Sequence, residues 1–198
     1  VEVRVAVVIY VIRATSIMVE ALANGARGIF PTVSSDEAIK LASSLGREDA
    51  LLCAERKRQK VEGFDLGNSP SEFNPDMVKG KQLVMTTTNG TRALMAAEGA
   101  DRVLTASFMN LTAVSEALQG EDQLVVVCAG KEDRFALDDA LCAGMLIQSF
   151  SERADGSLFG DPEGGAKLND AARVALDLAQ KYSLDADLLR STSAGAAL

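Results

Sequence analysis

The order of strand-like and helix-like segments predicts an α/β protein, a three-layer α/β/α sandwich with a mostly parallel sheet. Segments rich in β-branched residues alternate with helix-forming segments, which is the order that builds parallel sheets covered by helices. The first strand, at residues 3–12, is a nearly continuous apolar run, as buried parallel strands are. Aliphatic residues dominate the apolar 47% of the chain and Trp is absent, so we expect an aliphatic core.

Local signals place the individual elements along the chain. Gly25 and Gly46 are helix-stop signals, and the string from Ser34 to Glu37 is a capping box. Pro70 directly after Ser69 predicts the start of a short helix. We expect loops at 55–69 and 152–165, and no closing strand in 185–198. The predicted strands are 3–12, 27–33, 50–54, 82–85, 102–106 and 123–128, and the predicted longer helices are 16–24, 34–45, 91–98, 110–118, 137–150 and 168–182.

The length of the chain allows one large domain or two small ones. Its 198 residues fit two α/β/α subdomains that flank a shared cleft, at roughly 100–200 residues per domain. A boundary near 79–81 divides the chain into an N-terminal subdomain, 1–80, and a C-terminal subdomain, 81–198.

Charge and composition exclude several classes of partner. The net charge of −8 argues against a nucleic-acid groove, which needs a basic face, and against an anionic membrane surface. No run approaches the ~20 apolar residues of a membrane helix, and residues 1–12 lack the cationic start of a signal peptide. The three cysteines are widely spaced and form no CxxC pair, so we expect a reducing, cytoplasmic location.

The chain contains no histidine, which narrows the possible chemistry. Ser-His-Asp triads, phosphohistidine intermediates and His-ligated zinc are all excluded. Acid–base work must therefore fall to Asp, Glu, Lys, Cys, Tyr or water.

Residues 86–92, TTTNGTR, form the most informative turn. In parallel sheets ligands bind beyond the carboxyl ends of the strands, and this turn follows the strand 82–85. It places four hydroxyls, an amide and a guanidinium at a helix start, where unpaired N–H groups favour anions. A plain helix cap needs one hydroxyl, so the turn favours an anion site.

Two further turns carry arginine beside small or hydroxyl residues. Arg13-Ala-Thr15-Ser16 follows the first strand, and Cys128-Ala-Gly-Lys-Glu-Asp-Arg134 follows the strand 123–128. The latter has the C-x₅-R spacing of thiol phosphatases, in which a thiolate attacks phosphorus. Glu132 and Asp133 inside that loop would repel a phosphate dianion, so an Arg134 anion clamp is favoured over a Cys128 nucleophile.

Acidic residues offer oxygen ligands of the kind that Mg²⁺ takes. Glu55 follows the strand 50–54, and the loop after it carries Glu62, Asp65 and Asn68. Asp138 and Asp139 begin the helix 137–150, where they bind metal or complement the helix dipole. For each of these residues a solvated or capping role remains open.

Four strings resemble the 2-phosphosulfolactate phosphatase family. They are IRATS at 12–16, EGFDLGNSP at 62–70, TTTNGTR at 86–92, and the segment from Cys128 through Arg134 to Gly144. The resemblance is collinear over residues 7–147. It implies two α/β/α subdomains with the site between them, and a Mg²⁺-dependent phosphomonoesterase that hydrolyses 2-phospho-3-sulfolactate in coenzyme M biosynthesis.

The chain departs from the family pattern at two places. Family members have an aspartate after the first strand where this chain has Tyr10, so a carboxylate expected at that strand end is absent. The family also continues past Gly195 with a histidine-bearing segment and a final strand, which this sequence does not show.

The resemblance and the turns together give the predicted site. Mg²⁺ is expected on Glu55, Asp65 and Asp139, with Asp139, Asp65 and Arg134 catalytic. Metal-bound water, a carboxylate or Cys128 is the nucleophile. A phosphatase for other 2-phospho-hydroxy acids and a non-catalytic binding protein remain alternatives, and a homodimer is a further expectation. Small anionic substrate is expected on Arg13, Thr15, Ser16, Asn68, Thr87, Thr88, Asn89, Gly90, Thr91, Arg92 and Gly130.

Overall fold

A computed structural model describes residues 3–56, 59–87, 89–121, 123–153 and 167–197. These ranges contain seven strands and eight α-helices, and strands and helices alternate through much of the chain. In chain order they are β1 (Val5–Ile9), α1 (Ala14–Ala23), β2 (Gly28–Thr32), α2 (Ser35–Leu45), β3 (Ala50–Arg56), β4 (Gln59–Lys60), α3 (Pro75–Val78), β5 (Gln82–Thr86), α4 (Gly90–Ala96), β6 (Arg102–Ala106), α5 (Leu111–Ala117), β7 (Val125–Cys128), α6 (Leu137–Arg153), α7 (Asp170–Lys181) and α8 (Ala186–Ser191).

The described strands form two sheets that are not contiguous in sequence. One has the order β6-β1-β7 and the other β2-β5-β3-β4. All pairs are parallel except β3 with β4, so the predicted mostly parallel character is confirmed. β2 lies at an edge, which is where its Pro31 costs no ladder hydrogen bond.

Helices cover both faces of both sheets, as the α/β/α prediction requires. β1 alternates strictly: Val5, Val7 and Ile9 face α5, α6 and α7, while Ala6 and Val8 face α4. α1 packs its Ile17 against the other sheet's β5 and β3. Helices α1 and α4 therefore form a layer between the two sheets, and α2 covers the outer face of the second sheet.

Capping interactions fix where the predicted helices begin. The Ser34 side chain accepts a hydrogen bond from Glu37 N at 3.2 Å, as the capping box predicts, while the Glu37 carboxylate accepts from Val33 N. The predicted short helix after Ser69 is a single 3₁₀ turn, Pro70–Glu72. Glu72 accepts from Ser69 N at 3.0 Å, which completes the expected cap.

Most predicted elements lie where the sequence placed them, with ends that differ by a few residues. The short antiparallel β4, and helices α3 and α8, had not been predicted as such. From residue 154 on, the predicted loop 152–165 lies outside the described residues. The division at residue 80 stays a prediction, and strand pairing does not follow it, because β1 joins β6 and β7 while β5 joins β2 and β3. Among the described helices, none is long and apolar enough to cross a membrane.

Candidate active site

A cavity of about 350 Å³ lies where the carboxyl ends of β1, β3 and β5 come together. This is the position that ligands take in parallel α/β sheets. Residues at the ends of these strands and in the loops that follow strands supply its polar wall, so the chain order of strand and loop determines which side chains meet. The polar side chains around it are Tyr10, Arg13, Glu55, Asn68, Thr86, Thr87, Asn89, Lys131 and Glu132.

The turn after β1 is shaped by two hydroxyls. Tyr10 N donates to Thr15 Oγ1 at 3.0 Å, and Thr15 N donates back to Tyr10 O at 3.1 Å. Ser16 Oγ donates to the Val11 carbonyl at 2.7 Å. Thr15 and Ser16 are buried and are not among the residues around the cavity, so they hold the turn that presents Tyr10 and Arg13.

Arg13 is held in place by a chain of hydrogen bonds. Its Nη1 donates to Asn68 at 3.3 Å to Oδ1 and 3.4 Å to the carbonyl oxygen. The Asn68 amide donates in turn to Glu55 Oε2 at 2.9 Å. All three residues are half-buried and line the cavity. A guanidinium in a fixed orientation matches the geometry of phosphate or sulfonate oxygens better than a mobile cation does.

The turn after β5 leads into a helix as the sequence predicted, but its threonine hydroxyls differ from one another in their contacts. Thr87 lines the cavity, and its Oγ1 accepts from Thr91 N at 3.0 Å, at the start of α4. Thr91 is buried and donates to the Thr32 carbonyl at 3.1 Å. Asn89 lines the cavity and donates to Tyr10 Oη at 3.3 Å. Thr88 lies outside the described residues.

Gly90 leaves room for this arrangement because it has no side chain. A Cβ at this position would lie 2.6 Å from Thr87 Oγ1 and 2.9 Å from the Ala14 Cβ. Both distances are shorter than any relaxed contact, so Gly90 allows α4 to approach α1. Its contribution is close packing of the turn and not direct contact with the cavity.

The Asp139 carboxylate connects the turn after β1 with the turn after β7. Its Oδ1 accepts from Val11 N at 2.8 Å, and its Oδ2 accepts from Gly130 N at 2.9 Å. The residue is fully buried and is not among those around the cavity. Burial raises the pKa of Asp139 to about 7, with the Val11 and Gly130 N–H donors acting against the rise and Asp138 adding to it. The geometry makes Asp139 a connection between the turn after β1 and the turn after β7.

The three predicted metal carboxylates do not come together. Asp65 accepts two hydrogen bonds from Arg47, at 2.8 and 3.1 Å, and one from Leu52 N at 2.7 Å. Both oxygens of Asp139 are occupied as described, and only Glu55 of the three lines the cavity. Across the part of the chain that the structure describes, no group of three or more His, Cys, Asp or Glu side chains is arranged to hold a metal ion.

The turn after β7 places two residues at the cavity that the sequence did not single out for binding. Lys131 and Arg134 exchange N–H···O hydrogen bonds at 3.0 Å, and Glu132 and Asp133 between them have φ values of 52° and 58°. This is the left-handed pair of a tight hairpin turn. It carries Lys131 and Glu132 to the cavity, where the Lys131 ammonium donates to the Ser193 carbonyl.

The rest of that turn faces elsewhere. Cys128, Gly130 and Arg134 line a second groove of about 1280 Å³ beside β7. Arg92 forms an ion pair with Asp133 at 2.8 Å, on the surface, with side chains 65% and 82% exposed. A Cβ at Gly130 would lie 2.4 Å from the Arg134 carbonyl oxygen, so this glycine permits the tight turn.

Cys128 lacks the environment of a nucleophilic thiol. It is exposed along the second groove, yet desolvation of its sulfur, together with Asp139 and Asp138, raises the pKa of Cys128 to about 12. A reactive cysteine needs the opposite shift, toward the thiolate. The direction of this pKa shift and the position of Cys128 outside the cavity lining both argue against a Cys128 nucleophile.

The structure thus gathers five of the predicted site residues and leaves the others apart. Arg13, Glu55, Asn68, Thr87 and Asn89 line the cavity. Sequence reasoning missed Lys131 and Glu132 as cavity residues, and the only available signal was their place after a strand. The described residues that do not line it are Thr15, Ser16, Asp65, Gly90, Thr91, Arg92, Gly130, Arg134 and Asp139, whose assigned roles stay predictions.

The chain matches the family model described as 2-phosphosulpholactate phosphatase over residues 1–198. The chain belongs to the 2-phosphosulfolactate phosphatase family. A protein of Thermotoga petrophila named probable 2-phosphosulfolactate phosphatase is 46% identical over 148 residues, which are 75% of this chain and 63% of that protein. One from Symbiobacterium thermophilum, with the same name, is 41% identical over 194 residues, which are 97% of this chain and 79% of that protein.

Membership of the 2-phosphosulfolactate phosphatase family confirms the resemblance found in the four sequence strings. The chain spans 63% of the length of the Thermotoga petrophila relative that it matches. All four of those strings reach the cavity described above, which connects the family pattern to one place in the fold. The residues that do so include Arg13, Asn68, Thr87 and Lys131.

Proposed function

We propose that this protein is a phosphomonoesterase that hydrolyses 2-phospho-3-sulfolactate to 3-sulfolactate and phosphate. In that reaction water supplies the oxygen that bonds to phosphorus, the bridging P–O bond breaks, and the released alkoxide takes up a proton. The names of the relatives support the substrate, and the family match covers the whole chain. The step would belong to coenzyme M biosynthesis, as the family resemblance implies.

The observation that carries the proposal is the fixed orientation of Arg13 in the cavity. Asn68 and Glu55 hold the guanidinium at the carboxyl ends of the strands. Lys131 adds a second cation, and Thr87 and Asn89 add neutral polar groups. A substrate with phosphate, carboxylate and sulfonate groups needs several anion-binding groups converging on one cavity, and this cavity supplies them.

Mg²⁺ remains part of the proposal, with a smaller set of protein ligands than the sequence predicted. Mg²⁺ commonly uses one or two carboxylates together with water and substrate phosphate oxygens. Glu55 and Glu132 are the carboxylates that line the cavity among the described residues. When bound there, Mg²⁺ would neutralise charge on the phosphoryl group.

The proposal is tested by phosphate release from 2-phospho-3-sulfolactate, measured with Mg²⁺ and again with excess chelator. Release that the chelator stops supports a metal-dependent phosphatase. Release that survives the chelator rejects the Mg²⁺ requirement and makes Cys128→Ser the next variant to assay. An absence of release, with substrate binding still detected by calorimetry, rejects the enzymatic proposal.

Tyr10 favours a second candidate function, a non-catalytic protein that binds phosphorylated metabolites. It occupies the cavity at the position where the family resemblance expects a carboxylate. The same assay separates the two functions, because a binding protein would retain affinity without turnover. A wider panel of 2-phospho-hydroxy acids tests the remaining alternative, a phosphatase of broader range.

Location and assembly are proposals that follow from the sequence. The three cysteines Cys53, Cys128 and Cys142 are free thiols, which agrees with a reducing cytoplasm. A charge of −8 disfavours nucleic acid as a partner. A small anionic substrate would be attracted locally by Arg13 and Lys131 in the cavity. A homodimer is tested directly by light scattering during size-exclusion chromatography.

A further inference from the structure

Tyr10 is fixed at the end of β1 with its ring in the cavity. Its backbone N–H and carbonyl are both bonded to Thr15, at 3.0 and 3.1 Å. The residue is half-buried and lines the cavity beside Arg13 and Asn89. A residue whose backbone is fixed at the carboxyl end of a central strand is in the position from which ligands are contacted.

The ring of Tyr10 is packed tightly against the turn after β5. A Cβ on Gly90 would lie 3.0 Å from Tyr10 Cδ1, so the glycine makes room for the ring. Packing on this side leaves the hydroxyl at the opposite end of the ring, where it meets Asn89. The phenol is therefore oriented by contacts at its backbone, its ring and its oxygen.

The hydroxyl of Tyr10 has a hydrogen-bond donor to spare. Asn89 Nδ2 donates to Tyr10 Oη at 3.3 Å, so the oxygen acts as an acceptor in this contact. A phenol also carries one O–H donor. Within the described part of the chain, that O–H has no hydrogen-bond acceptor. An anion bound in the cavity would supply one.

The phenol remains neutral in this environment. Burial raises the pKa of Tyr10, Asn89 acts in the opposite direction through its hydrogen bond, and Asp139 and Glu55 add to the rise. A carboxylate at this position would carry a negative charge toward an anionic ligand. A neutral donor instead attracts phosphoryl oxygens.

We propose that Tyr10 is a substrate-binding residue whose O–H donates a hydrogen bond to a phosphoryl oxygen of the bound substrate. This inference rests on the proposed function for the identity of the substrate. It assigns the phosphoryl group to the part of the cavity between Tyr10, Asn89 and Arg13. In this arrangement the Asn89 amide orients the phenol through its hydrogen bond to Tyr10 Oη.

The chain offers a matched pair of variants for the test. It has two tyrosines and no Trp, so in Tyr182→Phe the tyrosine absorption band reports on Tyr10 alone. Tyr182 follows α7, is 37% exposed and lies away from the cavity residues. Tyr10→Phe keeps the ring against Gly90 and removes only the hydroxyl, and circular dichroism checks that both variants fold.

Inorganic phosphate is the first probe. We expect phosphate to produce a saturable tyrosine difference spectrum in Tyr182→Phe. The affinity obtained from that spectrum should equal the phosphate affinity of the unmodified protein measured by calorimetry. In Tyr10→Phe we expect affinity for phosphate to fall about tenfold, the effect of one hydrogen bond to a charged acceptor. The KM for 2-phospho-3-sulfolactate should rise by a similar factor.

The outcomes separate this inference from the proposed function. An unchanged spectrum in Tyr182→Phe, or wild-type phosphate affinity in Tyr10→Phe, would overturn the role of Tyr10 even in a fully active enzyme. A protein that shows the spectral change and the weakened binding but releases no phosphate from the sulfolactate ester would refute the proposed function and leave the Tyr10 contact supported.

Discussion

Replacing Arg13 by alanine should be the most damaging single change among the cavity cations. The substitution removes the guanidinium that Asn68 orients, and with it one or more charge-assisted hydrogen bonds to the substrate. A hydrogen bond to a charged group contributes roughly 1.5–3 kcal/mol. Taking about 2–3 kcal/mol for this site, kcat/KM should fall about 30- to 150-fold.

The assay is phosphate release from 2-phospho-3-sulfolactate over a range of substrate concentrations. Arg27→Ala is the matched control, because its guanidinium lies on the surface in a 3.5 Å ion pair with Asp49 and does not line the cavity. Such exposed pairs contribute little to stability. Arg92→Ala loses an exposed ion pair with Asp133, and its kcat/KM should fall less than that of Arg13→Ala.

Two results would refute this reasoning. A loss in Arg92→Ala as large as that in Arg13→Ala would show that the surface arginine reaches the substrate. A loss of less than about threefold in Arg13→Ala, which is below 1 kcal/mol, would show that the cavity guanidinium does not bind the reacting anion.

Three further predictions concern orientation, packing and pH. Asn68→Ala should lower kcat/KM about three- to tenfold by releasing Arg13, and its effect should be strongly non-additive with Arg13→Ala in a double-mutant cycle. Gly144→Ala should destabilise the protein by about 1–3 kcal/mol in urea unfolding, because its Cβ would overlap the Ala175 carbonyl oxygen of α7. Asp139 binds a proton more tightly in the folded chain than in the unfolded chain, because its pKa is raised when the protein folds. The free energy of unfolding should therefore decrease as the pH rises from about 4 to about 7, by up to about 1.4 kcal/mol per pH unit. Asp139→Asn should remove that slope.

Each of these has a clear contrary result. Additive losses in the Asn68 cycle would mean that the amide acts independently of the arginine. A Gly144→Ala variant as stable as the parent would mean that α6 and α7 can move apart without lowering the free energy of unfolding. Parallel stability curves for Asp139→Asn and the parent from pH 4 to 8 would mean that the buried carboxyl titrates near its ordinary value.

The sequence was sufficient to predict the class of fold, and it pointed to the edge of the sheet where the candidate cavity lies. Alternation of apolar and helical segments gives parallel strands, and the residues after each strand then meet at one edge. Arg13, Glu55, Thr87 and Asn89 were found in this way, whereas Asn68 was found in the long loop after the strand 50–54. Two α/β/α subdomains were expected, but the strands that make up each sheet were not predicted, because the pairing of β1 with β6 is a long-range contact that no local pattern specifies.

The roles of individual polar residues were harder to predict than their location. Thr15, Thr91 and Asp139 have the residue types of ligand-binding groups, but each is buried and hydrogen-bonded to a backbone group. A hydroxyl or carboxylate that satisfies a buried backbone group looks the same in sequence as one that binds a ligand. Lys131 was missed for the converse reason, since a lysine in a polar turn is usually solvated.

The strand order also has a consequence for how the chain is made. Val5 in β1 pairs with Arg102 in β6 and, one residue later, Ala6 pairs with Val125 in β7. The ribosome therefore releases the most apolar strand long before either neighbour exists, an interval of roughly 5–20 s at cellular elongation rates. During that interval β1 has two unpaired edges and two apolar faces, which are the features that make incomplete chains prone to aggregation. We therefore expect chaperones to matter most for this chain while β1 waits for its neighbours.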